Sequence, residues 1–365
     1  MLAQLRQSGW HAEPNSTYGG GQAPGPFEPC IGEDRRRSAA HCAYRVPVVL
    51  ALGFVLATGA AHAQDQDAAW PARPVRLVVP SSPGGGTDGF ARLLAAALTD
   101  ALKQRFVVDN RPGASGVVGA EIAAKSPPDG YTLLVSSTSA LVINPGLQKN
   151  LPYDAERDFT PVARGVVSAN VWSSHPSVPV KTMGALVALG KHDPGTLAYG
   201  TAGPGSTGYL AVKIVEEATG ARFVHVPYKG SGQSVQGLIR GEVGFVVSEI
   251  ATALPHLRSG RARALAVSHR VTALPGVPTL AEAGFSYAEV QPAFGVAVPA
   301  GTPAAIVQRL SGAIVGVMKT PVFKERLEAR ALIPVYDTPE EFARVLRQER
   351  ARFAEIIRKN RITAE

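Results

Sequence analysis

The chain has 365 residues, of which 45% are hydrophobic and 18% charged, with 38 Gly, 29 Pro and a formal net charge of +8. That is a globular composition, which excludes a disordered chain, a collagen-like fibre and a coiled coil. Two cysteines exclude a disulfide scaffold, and no set of long apolar windows supports a multi-span membrane protein. The basic excess favours anionic partners without choosing among nucleic acid, a membrane surface and an acidic small molecule.

Arg35-Arg36-Arg37 precedes an apolar run at 46–57, and Ala61-His62-Ala63 follows it before Gln64. This is the order of a secretory signal peptide. The run is broken by Pro47 and Gly53 and is too short for a spanning helix of about 20 residues. Residues 1–63 are therefore expected to be an N-terminal extension and signal peptide, cleaved after about Ala63, with the mature chain exported to the periplasm; an uncleaved interfacial anchor is the alternative. Cleavage would remove both Cys30 and Cys42, and with them any disulfide, thiol nucleophile or Cys-ligated metal. Nucleotides and nicotinamide cofactors are scarce outside the cytoplasm.

From residue 70 onward, strand-like apolar runs recur at 75–80, 106–110, 132–137, 196–201, 223–228, 243–249, 263–268 and 294–299. Helical patterns separate most of them, at 87–104, 115–125, 206–219, 231–240 and 303–318. Alternation of this kind predicts an α/β protein with parallel or mixed sheets flanked by helices. The final segment, 338–359, opens on a capping box, Thr338-Pro339-Glu340-Glu341, and carries Phe342, Val345, Leu346, Phe353, Ile356 and Ile357 at helical spacing. Two extended stretches, 159–174 and 290–299, read as crossings between domains. The expected organisation is a discontinuous first lobe of residues 64–165 and 295–365, a second lobe of 166–294, and a cleft between them. The basic residues are scattered rather than striped, and no nucleic-acid motif is present.

Two loops fit G-x-G-x-x-G: Gly84-Gly85-Gly86-Thr87-Asp88-Gly89 after the first strand, and Gly203-Pro204-Gly205-Ser206-Thr207-Gly208 after the run at 196–201. Each opens a helix, so backbone N–H groups and the positive end of the helix dipole can hold an anionic group without a basic side chain. A dinucleotide site is one reading of the first loop, because Asp109 ends the next strand twenty residues after Gly89. Against it, Ser81-Ser82-Pro83 separates the strand from the first glycine, and Asp109 runs into the turn Asn110-Arg111-Pro112-Gly113. The histidines at 175, 192, 225, 256 and 269 show no metal-ligand spacing, and no serine has glycine at both −2 and +2. Asp88 and Glu249 are the acids that an acid/base pair would need, but nothing in the sequence brings them together. Lys229 is a loop cation that an anion could meet.

Ordered blocks of residues carry a family resemblance. They are Val78-Val79-Pro80-Ser81-Ser82-Pro83-Gly84-Gly85-Gly86-Thr87-Asp88 with Ala91-Arg92; Asn110-Arg111-Pro112-Gly113-Ala114-Ser115-Gly116; Pro128-Asp129-Gly130-Tyr131; Asn144-Pro145; Leu151-Pro152-Tyr153-Asp154; and Asp158-Phe159-Thr160-Pro161. Further along come Tyr199-Gly200-Thr201-Ala202-Gly203-Pro204-Gly205-Ser206, His225-Val226-Pro227-Tyr228-Lys229-Gly230, Gly276-Val277-Pro278-Thr279 with Glu282-Ala283-Gly284, and Pro299-Ala300-Gly301-Thr302-Pro303. This series resembles the solute-binding proteins of tripartite tricarboxylate transporters, the Bug family. The resemblance implies a two-lobed periplasmic-binding-protein fold of type II character that closes over a small carboxylate: a di- or tricarboxylate, an acidic amino acid or an aromatic acid. It implies Ser81, Gly84, Gly85, Asp88, Ser137 and Thr138 as ligand-binding residues of the first lobe, and Gly205, Ser206, Thr207 and Ser248 of the second. No catalytic residue, metal or cofactor is expected, and the implied partner is a membrane permease, with the protein itself a monomer. Two departures stand out. Gly208-Tyr209-Leu210 replaces the family's His-Leu pair, and Ser248 ends a strand that in the family often ends in Phe-Asp. The alternatives are an exported dinucleotide-binding enzyme and a ligand-sensing subunit of a signalling system.

Overall fold

A computed structural model describes residues 70–364. The expected signal peptide, with Cys30 and Cys42, lies outside the described residues. One sheet is built from β1 (Val75–Val79), β2 (Phe106–Asn110), β3 (Thr132–Ser137), β4 (Phe159–Ser168), β10 (Ala293–Pro299) and β11 (Leu332–Pro334), in the spatial order β11-β4-β10-β3-β1-β2. The other contains β5 (Asn170–Ser174), β6 (Ala198–Thr201), β7 (Val224–Pro227), β8 (Phe245–Glu249) and β9 (Arg263–Val267), in the order β7-β6-β8-β5-β9. The chain leaves the first sheet at Ser168, enters the second at Asn170, and returns between Val267 and Ala293.

Both sheets are mixed. β1 pairs in parallel with β2 and β3, and β6 with β7 and β8. By contrast, β10 is antiparallel to β3 and β4, and β5 to β8 and β9. A parallel pair needs a crossover helix between its strands, whereas β4 passes to β5 through Ala169 alone, so these strands run against their neighbours.

The helices among the described residues are α1 (Gly86–Leu102), α2 (Val117–Ala124), α3 (Asn144–Leu147), α4 (Met183–His192), α5 (Thr207–Thr219), α6 (Ser231–Ile239), α7 (Ile250–Arg258), α8 (Ala304–Met318), α9 (Pro321–Glu328) and α10 (Pro339–Lys359). The structure adds α3, α4, α7, α9 and β11 to the elements expected from sequence, and resolves the extended run at 159–174 into β4 and β5. No helix among the described residues is long and apolar enough to cross a membrane.

Helices on both faces explain the near-continuous apolar strands: Val75, Leu77, Val78 and Val79 of β1 are fully buried, and every residue of β5 is buried. α1 turns Phe90, Ala91, Leu94, Ala95 and Leu98 toward the first sheet. The ring tip of Phe90 abuts Gly165 of β4, where any Cβ would overlap it. In the second sheet Trp172, Tyr199, Phe223 and Phe245 form a buried aromatic cluster with ring centroids 5.0–6.4 Å apart.

α10 starts with the expected capping box, Thr338 Oγ1 accepting from the Glu341 N–H and Glu341 Oε2 from the Thr338 N–H. Its buried side is Phe342, Leu346, Phe353 and Ile357. Phe342 packs so close to β10 that a Cβ on Gly295 would lie 2.7 Å from its Cζ. Thr338→Ala should therefore destabilise the protein by about 1 kcal/mol and lower Tm by a few degrees, measured by calorimetry.

Candidate functional site

The site is built where loops at the C-terminal ends of strands from the two sheets meet. In the first sheet β1 runs into Ser81–Gly85, and Gly85 is the N-cap of α1 with no side chain to cap it. Gly84 has φ +82, a left-handed conformation that costs glycine nothing, and its N–H donates to Asp88 Oδ2 at 3.0 Å. The other Asp88 oxygen accepts from Asn110 Nδ2 at 2.9 Å, and Arg92 Nε donates to Oδ2 at 3.0 Å. Burial raises the Asp88 carboxyl, but the hydrogen bonds from Arg92, Gly84 and Asn110 outweigh it and hold the group below its ordinary value. Asp88 thus stays charged and is spent inside the first loop, where it fixes the shape that Ser81, Gly84 and Gly85 adopt.

Directly opposite is the N-terminus of α6, with Gly230 as N-cap. A Cβ on Gly232 would lie 2.9 Å from the Pro83 carbonyl and 3.5 Å from Gly85 N, and a Cβ on Gly230 would lie 2.9 Å from Ser82 N. The two loops meet backbone to backbone, which only glycine permits. Two serine hydroxyls of the first loop, Ser81 Oγ and Ser82 Oγ, are buried here without a protein partner, as is Ser248 Oγ at the end of β8. Buried hydroxyls normally find a partner, so the two on the first loop mark a place able to receive a polar group. A groove of about 460 Å³ opens at the rim, lined by Gly84, Tyr228, Gly232, Gln236 and Arg240 among others.

A second junction lies at the N-terminus of α5. Ser206 caps that helix by accepting from the Tyr209 N–H at 3.2 Å, and Thr207 Oγ1 donates to Asn170 Oδ1 at 3.3 Å. The facing residues come from the block at 110–116: Ser115 Oγ donates to the Ala202 carbonyl at 3.2 Å, and the Ser115 carbonyl accepts from Asn144 Nδ2 at 3.1 Å. Ala114 and Ser115 both adopt left-handed backbone (φ +45 and +53), strain that is spent on presenting this turn to the other lobe. Gly205, φ +88, sits so close to Asn144 Oδ1 that any side chain would overlap it. Behind the loop, His225 Nε2 lies 2.8 Å from Thr201 Oγ1, which accepts from the Gly203 N–H at 3.1 Å. Burial, helped by the Lys213 charge, pulls the imidazole down to about 4, so it is neutral at physiological pH. Tyr209 packs its ring 4.8 Å from His225, and its hydroxyl donates to the Thr363 carbonyl at 2.7 Å.

The ten expected residues are thus not one cluster. Gly84 and Gly85 meet the second lobe at α6, with Ser81 beside Gly85, while Gly205 meets the first lobe at Asn144, its loop neighbours Ala202 and Gly203 meeting Ser115. Ser137 and Thr138 line a separate cavity of about 210 Å³ beside Arg164, Gln291 and Phe294. Thr138 Oγ1 accepts from the Ala293 N–H at 2.8 Å, tying β3 to the returning crossing, and Ser137 Oγ accepts from the Ala140 N–H at 3.3 Å. Sequence reasoning missed Ser82, Ser115, Asn144, Gly230, Ser231 and the place of Glu249. All but Ser231 and Glu249 lie inside the family-like blocks, so the signal was present but not resolved to residues. Lys229 is exposed, its N–H donating to Gln233 Oε1 at 3.2 Å. Asp109 is held by Arg76 Nε at 2.7 Å and Arg111 Nε at 3.0 Å, which leaves it poorly placed to clamp a ribose. Among the described residues no group of three or more His, Cys, Asp and Glu could hold a metal ion.

Two outcomes follow from this geometry. Gly232→Ala adds a methyl that meets only the opposite lobe, and alanine suits a helix better than glycine. It should leave the stability of the free protein within about 1 kcal/mol of wild type while weakening ligand binding about tenfold or more, by calorimetric titration. His225 binds a proton more readily when unfolded (6.5) than when folded (about 4), so stability should decline as pH falls through that window. The loss should be about 1–2 kcal/mol for this part-exposed ring, and smaller in His225→Gln, by urea unfolding at a series of pH values.

The description "tripartite tricarboxylate transporter family receptor" belongs to a family model that matches residues 90–362. Protein BugT of Bordetella pertussis is 37% identical over 310 residues, 84% of this chain and 95% of that protein. An R. palustris protein solved with adipate superposes with a TM-score of 0.78 at 34% identity, covering 80% of this chain and 99% of the other. MatC from Rhodopseudomonas palustris, solved with malate, gives 0.76 at 29%, covering 79% and 100%. The architecture is the two-lobed fold of periplasmic binding proteins. The chain belongs to the tripartite tricarboxylate transporter receptor family, a family of solute-binding receptors.

Proposed function

We propose that this protein is an extracytoplasmic receptor that holds a small carboxylate between its lobes and presents it to a membrane permease, without chemistry of its own. The observation that carries this is the seam itself: the N-termini of α1 and α6 and the unpartnered buried hydroxyls of Ser81 and Ser82 meet where two lobes touch. Donors of this kind suit a carboxylate, and the relatives solved with adipate and malate support the class. Asp88 acts by shaping the first loop, and Ser206 by capping α5, so their backbone neighbours rather than their side chains meet the ligand. Ser137 and Thr138 act from the hinge side.

Each sheet with its helices is one lobe in this proposal. The boundary expected at 165/166 moves to Ala169, because β4 stays in the first sheet through Ser168, and the return falls just before Ala293. Release into the periplasm after cleavage near Ala63 and a monomeric state complete the proposal.

The test is thermal unfolding of the chain from Gln64, first unfolded and refolded to strip any co-purified ligand, against mono-, di- and tricarboxylates, acidic amino acids, aromatic acids and NAD. A true ligand at a hundredfold its Kd should add about 2.7 kcal/mol and raise Tm by a few degrees. A shift with NAD and none with any carboxylate would overturn the proposal in favour of a dinucleotide site.

A further inference from the structure

The junction at α5 is built from strained backbone. Gly113, Ala114, Ser115 and Gly116 have φ of +141, +45, +53 and +95, four positive values in a row, two of them at residues other than glycine. Such strain persists only where the surroundings impose it, and it gathers at switches and clamps. Here Asn144 imposes it. This fully buried side chain donates from Nδ2 to the Ser115 carbonyl at 3.1 Å and accepts at Oδ1 from Gln148 Nε2 at 3.2 Å. The turn so held brings the Ser115 hydroxyl to the Ala202 carbonyl of the other lobe, 3.2 Å away. A second bond crosses nearby, from Tyr209 Oη on α5 to the Thr363 carbonyl, in the tail that buried Ile362 anchors after α10. Ala114, Pro204 and Thr363 line one groove of about 820 Å³, which makes the two bonds neighbours.

Strand order gives these bonds leverage. The chain passes between the sheets at β4, β5 and β10. β2, which leads into the Ser115 turn, is the edge of the first sheet far from β4 and β10. β6, which leads into Ala202, lies with β7 on the side of the second sheet away from β9 and β5. Opening about the crossings parts the lobes most at this far edge, so a bond there resists opening with a long arm. We propose that this junction is a latch, in which Ser115 and Tyr209 are positioning residues that hold the lobes closed through bonds of the protein's own. The latch rests on the two-lobed fold and not on the carboxylate reading. A hydrogen bond of ordinary net strength shifts the closed-to-open ratio about fivefold, and two that act independently about twenty-five-fold.

The test is a pulsed electron-spin distance measurement on the chain from Gln64, which holds every described element and no cysteine. The spin labels go on Val107→Cys in β2 and Val224→Cys in β7, both 44% exposed and both on the strands that opening moves most. Refolded wild type without added solute should show a population at the distance found in this structure. Ser115→Gly removes the hydroxyl with a residue that suits positive φ, and Tyr209→Phe keeps the ring and loses only its oxygen. Each should lower the closed-to-open ratio about fivefold and the pair about twenty-five-fold, with Tm within a few degrees of wild type. If Ser115→Gly fails to fold, Tyr209→Phe alone decides. A wild type with no closed population would overturn the latch. So would one distance distribution shared by wild type, the single variants that fold and their pair, and either result leaves the carboxylate site standing.

Discussion

Helix N-termini carry unsatisfied N–H groups and partial positive charge, and this protein sets three of them at two junctions between its sheets: those of α1 and α6 at one and that of α5 at the other. Everything else in the architecture follows from having to bring them together and keep them apart from bulk water. The strands end at the seam so that each following helix begins there. The loops are glycine-rich because backbone must meet backbone. Serine and threonine are the side chains of choice because they add hydroxyl donors without bulk or charge. The cost of assembling like-signed ends is met in two ways, by Ser206 capping α5 within its own loop and by Glu249 bridging α1 and α6.

The acids around the first loop show how a fold can look catalytic without being so. Asp88 and Asp109 occupy positions that a sequence reader would give to a proton carrier or a ribose clamp. Each is instead surrounded by guanidinium and amide donors that keep it ionised and immobile. Glu249 is the opposite case. Burial pushes its carboxyl up, and its donors are the Ser231 hydroxyl and two backbone N–H groups rather than a cation.

Much of the fold was legible in the sequence because hydrophobic period and loop chemistry agreed. β2 and β3 have the bounds expected, and α10 starts where its capping box says it should. What escaped was local and weakly patterned. α7 carries Pro255 and a polar face, which hid its helical period, and β11 is three residues of edge strand. The mixed character of the sheets was only half visible, since strand direction depends on the crossing through Ala169 and not on any residue's propensity. The site was legible as two loops and illegible as contacts. No spacing in the sequence says that Gly205 meets Asn144, or that the side chain of Glu249 turns across the cleft to Gly86. Such pairings lie far apart along the chain and exist only once two separately folded halves touch.

The hydrogen bond from Tyr209 to the Thr363 carbonyl gives the carboxyl end of the chain a mechanical role. Ile362 is buried, so the tail after α10 is anchored rather than trailing, and it is anchored onto a helix of the other lobe. A fluorophore attached beside Thr363 would therefore report on the contact between the two halves, and a bulky group placed there would compete with that contact.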